Sequence, residues 1–454
     1  MRGTAMSVQI PRYSIDQLRR DIIAGSVEEV VLALPVLHGD PKGQRIAADH
    51  FLTEVIDNGL GACVYLLAAD IDMRTGPGYA IDVAGAGFGD FVLRPDLATV
   101  RRLPWDDATA YVLADATWRD GTVVPVAPRR ILRDQLDRLA GMGLRAFAGT
   151  ELEFLVFRDS YQDAHDHGYR ELRPATRYNA DYALTGLDGV TPLVRDITRA
   201  MTAAGMRVET ARAECHPGQY EIVFRYDDPL TTCDNHVLYK VGAKQLAAQR
   251  GAALTFMAKY DAGEGNSCHV HLSLRAEDGA AVFADPDRDG GMSRLMDHFV
   301  AGQLACMADL MLLFAPNVNS YKRLQPGSFA PVTCSWGRDD RTAPVRVLGA
   351  GHSLRLEHRV PGGDANPYLA VAAMIAAGLY GIEHELELPP PSEGGERLPS
   401  TLRAALDRWE SSPVAHTLFG DDIVAHYANS ARLELATFDA AVTDWERVRG
   451  FERN

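Results

Sequence analysis

The sequence predicts an α+β fold. Strand-like and helix-like segments follow one another without the regular strand–helix–strand rhythm of a doubly wound sheet, and no internal repeat is present. With 46% hydrophobic and 24% charged residues over 454 positions, the composition is that of a globular chain with length for a large core. Such a length suggests roughly two to four domains.

The elements justify this in order. "SIDQLRRDIIAG" (14–25) predicts a helix: Ser14 caps it, Ile15, Leu18, Ile22 and Ile23 form its apolar stripe, and Gly25 ends it. "EVVLALPVL" (29–37), "GACVYLLAADID" (61–72) and "TAYVLADATW" (109–118) are buried runs, so the first hundred or so residues read as a small sheet-bearing module. "PRRILRDQLDRLAGMG" (128–143) is a helix with Ile131, Leu132, Leu136 and Leu139 on one side. Strand-like "ELEFLVF" (151–157) follows. "TPLVRDITRAMTAAGM" (191–206) has Pro192 in its first turn and Gly205 near its end, the signature of a helix. "DNHVLYKVGAKQLAAQRG" (234–251) is another helix, and "LTFMAK" and "SCHVHLSL" (267–274) are strands. "NPYLAVAAMIAAGL" and "SARLELATFDAAVTDWERVRGF" (430–451) are helical, with the loop "ELPPPSEGGERLP" (387–399) between them.

Lys and Arg number 46 against 61 Asp and Glu, a net charge of −15, which argues against nucleic acid as a main partner. Six cysteines at 63, 215, 233, 268, 306 and 334 form no CxxC pair, so neither a zinc site nor a disulfide framework is indicated. "MRGTAMSVQIPRYS" has no apolar signal core, and the longest apolar run, "YLAVAAMIAAGLYGI" (368–382), is short for a membrane span. A soluble, cytoplasmic protein with no membrane partner is expected.

Three strands carry unusual polar faces. Residues two apart share a face of a strand. In "TELEFLVF", Glu151 and Glu153 share one; in "CHVHLSL", His269, His271 and Ser273; in "SLRLEHR", Arg355, Glu357 and Arg359. A single such strand reads as half-solvated sheet. Three together, all without lysine, suggest instead a concave wall of divalent-metal ligands with arginines that suit phosphate or carboxylate oxygens. "RAECHPGQYEI" adds Glu214 and Glu221, and Pro217-Gly218 between them breaks the strand so that both can turn inward.

"TELEF", "AECHPGQYEI", "GNSCHVHLSL", "NSYKRLQPG", "RDDRTAPVRV" and "RLEHRVPGGDANPYLA" occur in the order found in glutamine synthetases of the bacterial dodecameric type, which this chain resembles over almost its whole length. The resemblance implies an N-terminal β-grasp domain (1–115) and a large catalytic domain (116–454) with a curved antiparallel sheet. It also implies a homo-oligomer, a dodecamer of two hexameric rings, with active sites between neighbouring subunits. By the match, Glu153, Glu214 and Glu221 would hold one ion, Mg2+ or Mn2+, and Glu151, His269 and Glu357 a second. Glu209, His271, Ser273, Arg346 and Arg355 would face ATP. Gly265, Arg323 and Arg359 would face glutamate, and Arg341 would stabilise the phosphoryl group in transfer, with Arg323 also a candidate for catalysis. Moving a phosphoryl group onto a carboxylate brings anions together, which metal ions and guanidinium groups offset.

The chain departs from that pattern where the family binds ammonium. In "NSYKRLQPGSFAPV", Phe329 takes the place of the flap glutamate, beside Ser328. "NGLGACVYLL" stands where the family has its "DGSS" aspartate, which puts Cys63 or its neighbours there. Glu264-Gly265 replaces the usual Asn-Gly. No tyrosine lies between Tyr380 and Tyr427, so adenylylation control is not expected. A phenylalanine offers ammonium no oxygen but can line a pocket for an alkyl amine. The resemblance therefore implies a γ-glutamylamine ligase acting on ethanolamine or a similar primary amine. The alternatives are a γ-glutamylpolyamine synthetase, a glutamine synthetase using ammonia, a related acceptor or guanidino-kinase activity, and a non-catalytic assembly protein.

Overall fold

The computed structural model describes residues 13–81, 83, 85, 87–391 and 395–453. The first twelve residues of the stretch read for a signal core, and 392–394 of the Pro/Gly-rich loop, lie outside them.

The opening helix forms as expected: Ser14 Oγ accepts from Gln17 N over Ile15–Ile23, and Leu18 is buried. The first sheet follows, built from β1 (Glu29–Pro35), β2 (Pro41–Ala47), β3 (Leu60–Cys63), β4 (Asp90–Pro95), β5 (Arg101–Arg102) and β6 (Thr109–Thr117). Its order is β2-β1-β6-β4-β3, with β5 also on β6; β1 and β6 run parallel at the centre and the other pairs are antiparallel. β2 escapes sequence reading because "PKGQR" is mostly solvent-exposed and lacks an apolar alternation. The buried run from Gly61 is a strand only to Cys63, then a short helical turn over Val64–Leu67. β6 runs to Thr117, two residues past the expected boundary at 115.

The second sheet has eight strands: β7 (Leu144–Phe157), β8 (Val208–Ala213), β9 (Gln219–Phe224), β10 (Ala253–Thr255), β11 (Cys268–Ala276), β12 (Trp336–Arg338), β13 (Val345–Leu348) and β14 (Arg355–His358). They run in the order β12-β13-β14-β11-β7-β9-β8, with β10 on β7, all antiparallel except β12 with β13. Helices pack beside it. Helix Pro229–Gln249 starts earlier than the sequence pattern suggests because Asp228 accepts from Thr231 N and Pro229 fits the first turn, where no N–H is needed. Helix Pro367–Glu383 is buried nearly throughout, as its all-round apolar sequence requires. The expected 430–451 helix is two helices, Asp421–Ala440 and Asp444–Gly450: Ala441 is extended, and Thr443 with Glu446 forms a capping box that starts a new one. No described helix is long and apolar enough to cross a membrane.

Two polar devices join the sheets. Arg129, 2% exposed, donates to Asp234 (3.0 and 2.9 Å), Asp115 (2.7 Å) and Asp96 (2.7 Å), so β6, the turn after β4 and helix Pro229–Gln249 share one guanidinium. Asn366 caps helix Pro367–Glu383 through Tyr368 N, and its Nδ2 donates to the carbonyls of Val36 and Leu37 after β1, 3.1 Å each.

Candidate active site

Strand register lays out the candidate site. Glu151 on β7 stands opposite His269 on β11; Glu153 stands opposite Glu221 on β9, which stands opposite Arg212 on β8. His271 stands opposite Glu357 on β14, and Glu357 opposite Arg346 on β13. Cross-strand partners on one face lie about 5 Å apart between Cβ atoms, so the polar faces read from sequence meet.

Two clusters result. Ligand atoms of Glu151, His269 and Glu357 lie within 4.8 Å of one another, and so do those of Glu153, Glu214 and Glu221. Gly218, at φ +78°, closes the turn that brings Glu214 round to Glu221, a conformation glycine adopts without strain. The donors are carboxylate oxygens, with one imidazole in the first cluster. That set suits a hard ion such as Mg2+ or Mn2+ rather than a thiolate-loving metal. Glu221 is 0% exposed; Arg212 Nη1 pairs with its Oε1 at 3.0 Å without hydrogen-bond geometry, and its Oε2 has no donor, a buried oxygen that a further cation would complete. The residues therefore fit the ions the fold implies.

The clusters differ in charge balance. Burial would raise the Glu151 carboxyl, but the imidazoles beside it, His269 Nδ1 at 3.7 Å and His271 Nε2 at 3.0 Å, outweigh it and hold it well below the usual range. Burial acts likewise on Glu357, and the charges of His269, His271 and Arg359 overcome it. Glu357 pairs with Arg359 at 2.5 Å and Arg346 at 3.0 Å. In the other cluster burial, then the charge of Glu153, pushes Glu214 up to about 7. Burial, then Glu151, raises Glu221 as well.

Every member of the two clusters except the fully buried Glu221 lines a cavity of about 740 Å³, which is also lined by Gly265, Arg323, Ser328, Phe329, Arg341, Arg346, Arg355 and Arg359. A second cavity of about 370 Å³ shares Glu151, His271 and Arg355 with it and adds Glu209 and Ser273. Gly265 is required by close approach: a Cβ there would sit 2.3 Å from the Ala258 carbonyl oxygen and 3.0 Å from Arg323 Cγ. Arg359 is buried with its Nε unpartnered, leaving a donor for an anion. Arg323 lines the cavity, but two of its guanidinium nitrogens donate to the carbonyls of Val360 (2.9 Å) and Arg359 (3.1 Å). Ser328 donates to the Arg323 and Gln325 carbonyls, while Phe329 is 70% exposed at the rim. Cys63 is not brought to this cavity: it ends β3 in the other sheet, its thiol 3.4 Å from the Phe88 carbonyl.

Arg212 and Asp181 escape sequence reasoning, and for Glu264 the sequence shows only that it replaces the usual Asn. Arg212 donates from Nε to Glu214 at 2.7 Å, and its Nη1 lies 3.0 Å from Glu221. Asp181 and Glu264 also line the cavity; Asp181 accepts from the Cys215 thiol at 3.4 Å, and ligand atoms of Asp181, Glu214 and Cys215 lie within 4.8 Å of one another, a third group that adjoins the second cluster. Asp181 sits in a loop with no periodicity; for Arg212, its strand position two before Glu214 is a usable signal.

The glutamine synthetase catalytic-domain family matches residues 125–449. A γ-glutamylethanolamide synthetase of Streptomyces coelicolor is 54% identical over 449 residues, covering 98% of this chain and 96% of that protein. A glutamate–isopropylamine ligase of a Pseudomonas species is 32% identical over 449 residues, covering 96% and 98%. Among solved structures, a GmaS–ADP complex superposes with a TM-score of 0.83 at 28% identity, covering 96% of this chain and 99% of that one. With two clusters of carboxylate and imidazole groups that could hold metal ions, and similarity that runs almost end to end, the chain belongs to the glutamine synthetase family.

Proposed function

We propose that this chain is an ATP-dependent ligase that joins the γ-carboxyl of L-glutamate to a primary amine, ethanolamine or one of similar size, releasing ADP and phosphate. The observation that carries the reading is Phe329 at the rim of the cavity that holds both carboxylate clusters, where the family's flap acid would serve ammonium. The names of the ethanolamide and isopropylamine relatives point the same way.

The γ-carboxylate oxygen attacks the terminal phosphorus of ATP, the bond to ADP breaks, and γ-glutamyl phosphate forms. The amine nitrogen then attacks the acyl carbon, phosphate leaves, and the nitrogen gives up its proton. Arg359 orients glutamate beside Gly265, with Arg323 bracing the backbone behind it. Arg341 offsets charge on the phosphoryl group in transfer. Arg346, Arg355, His271, Ser273 and Glu209 position the nucleotide. Glu153, Glu214 and Glu221 would hold one Mg2+ or Mn2+ ion, and Glu151, His269 and Glu357 a second; such ions would supply positive charge that offsets the repulsion between carboxylate and phosphate. Asp181 and Glu264 offer carboxylates to an alkylammonium, and that pair is the feature that keeps a polyamine as a second reading.

We assign residues 1–115 to the β-grasp domain and the rest to the catalytic domain. The working form is a homo-oligomer, a dodecamer, in which Cys63 would reach a neighbour's cavity. Six cysteines, none in a disulfide, suit a cytoplasmic location. Phosphate release with glutamate and ATP across a panel of amines tests the function: ethanolamine or a short alkyl amine should give the highest kcat/KM, and ammonia ranking first would remove the reading.

A further inference from the structure

We infer that Arg212 is a positioning residue for a divalent ion held by Glu153, Glu214 and Glu221, fixing two of the three carboxylates from outside the ion's place. This rests on the metal reading of that cluster.

Arg212 lies on β8, the last strand of the sheet order, so it approaches the cluster from the sheet edge rather than from its middle. Its Nε reaches Oε1 of Glu214 and its Nη1 lies beside Oε1 of Glu221. Each contact engages one oxygen of its carboxylate. Oε2 of Glu221 remains buried without a donor, open to a cation. The ring of Tyr182 covers the guanidinium at 5.4 Å, which restrains it from the solvent side.

Charge favours the same arrangement. Glu153, Glu214 and Glu221 carry three negative charges, with Asp181 a fourth beside Glu214, so a divalent ion alone leaves the group negative and the Arg212 guanidinium offsets part of the remainder. An ion without the arginine would leave a net negative charge on a group that includes the fully buried Glu221, and unpaired buried charge is costly. Carboxylates that ligate metals are themselves usually hydrogen-bonded, and losing an outer partner typically weakens metal binding by about 10–100-fold. The planar guanidinium spans two carboxylates at once, which a lysine ammonium does less well.

The test is Mn2+ binding to the full-length protein after chelator treatment, followed by calorimetry and by the spin-resonance signal of free Mn2+. Arg212→Gln should weaken one class of Mn2+ site by about 10–100-fold while leaving the other class within about twofold. Arg212→Lys should fall between the variant and the parent. Equal or tighter Mn2+ binding in Arg212→Gln would overturn the inference, because the arginine would then be occupying the ion's own position. Equal weakening of both classes with a lowered thermal midpoint would overturn it too, in favour of a general structural role. Absence of Mn2+ uptake by the parent protein would overturn the metal reading itself, an outcome distinct from either of these.

Discussion

Lowering the pH from about 8 to about 6 should weaken divalent-ion binding at Glu153, Glu214 and Glu221 by roughly tenfold or more. The ion needs ionised carboxylates. Burial and the charge of Glu153 place the Glu214 carboxyl at about 7 in the ion-free protein. About nine-tenths of it is then ionised near pH 8 and about one-tenth near pH 6, which gives the tenfold. Glu221, raised by burial and by Glu151, extends the loss. The sign for stability follows. A carboxyl raised from 4.5 to about 7 stabilises the ion-free fold fully below 4.5, and that contribution, about 3 kcal/mol for Glu214, is lost as pH rises through about 7. An ion compensates the charge, so the thermal stabilisation it gives should grow between about pH 6 and about pH 8. Calorimetric titration with Mg2+ in two buffers of different ionisation heat counts the protons released, and Glu214→Gln should remove part of that release. An affinity identical at both pH values, with heats independent of buffer, would refute the reasoning.

Phe329→Glu should lower kcat/KM for bulky alkyl amines and raise it for ammonia, read from phosphate release; an unchanged amine ranking would place Phe329 outside the acceptor pocket. Asp181→Asn should raise the KM for ethanolamine roughly tenfold, the scale of a lost charge-assisted hydrogen bond, while leaving glutamyl hydroxamate formation from uncharged hydroxylamine nearly intact. Equal loss with both nucleophiles would reject an ammonium contact. Arg129→Met should cost about 3–5 kcal/mol in urea unfolding, because Asp96, Asp115 and Asp234 would lose their shared partner; a cost under about 1 kcal/mol would show the network to be dispensable.

The legible part of the site is its periodic part. Glu151 and Glu153 alternate with Leu152 and Phe154, and His269 and His271 with Val270 and Leu272, so a period of two reveals the wall before any contact is known. What spacing does not give is which strands adjoin. The family resemblance implies the split of Glu151 and Glu153 between two ions, and the register gives its physical basis, with Glu153 opposite Glu221 and Glu151 opposite His269. Asp181 has no such signature, because a loop position carries no face. In the fold, the buried helix Pro367–Glu383 announces itself by composition, whereas β2 does not, having one side too open to need apolar residues. The break at Ala441 turns on a capping box, "TDWE", inside an otherwise continuous helical pattern.

Asn366 has a consequence for the order in which the protein is made. The carbonyls it secures belong to Val36 and Leu37, some 330 positions earlier in the chain. A ribosome delivers the whole first sheet long before its clasp exists. Until Asn366 emerges, the turn after β1 lacks this clasp, and the Arg129 network through Asp234 is the polar link that can form first. Nascent chains stalled short of residue 366 are therefore the forms most dependent on chaperones.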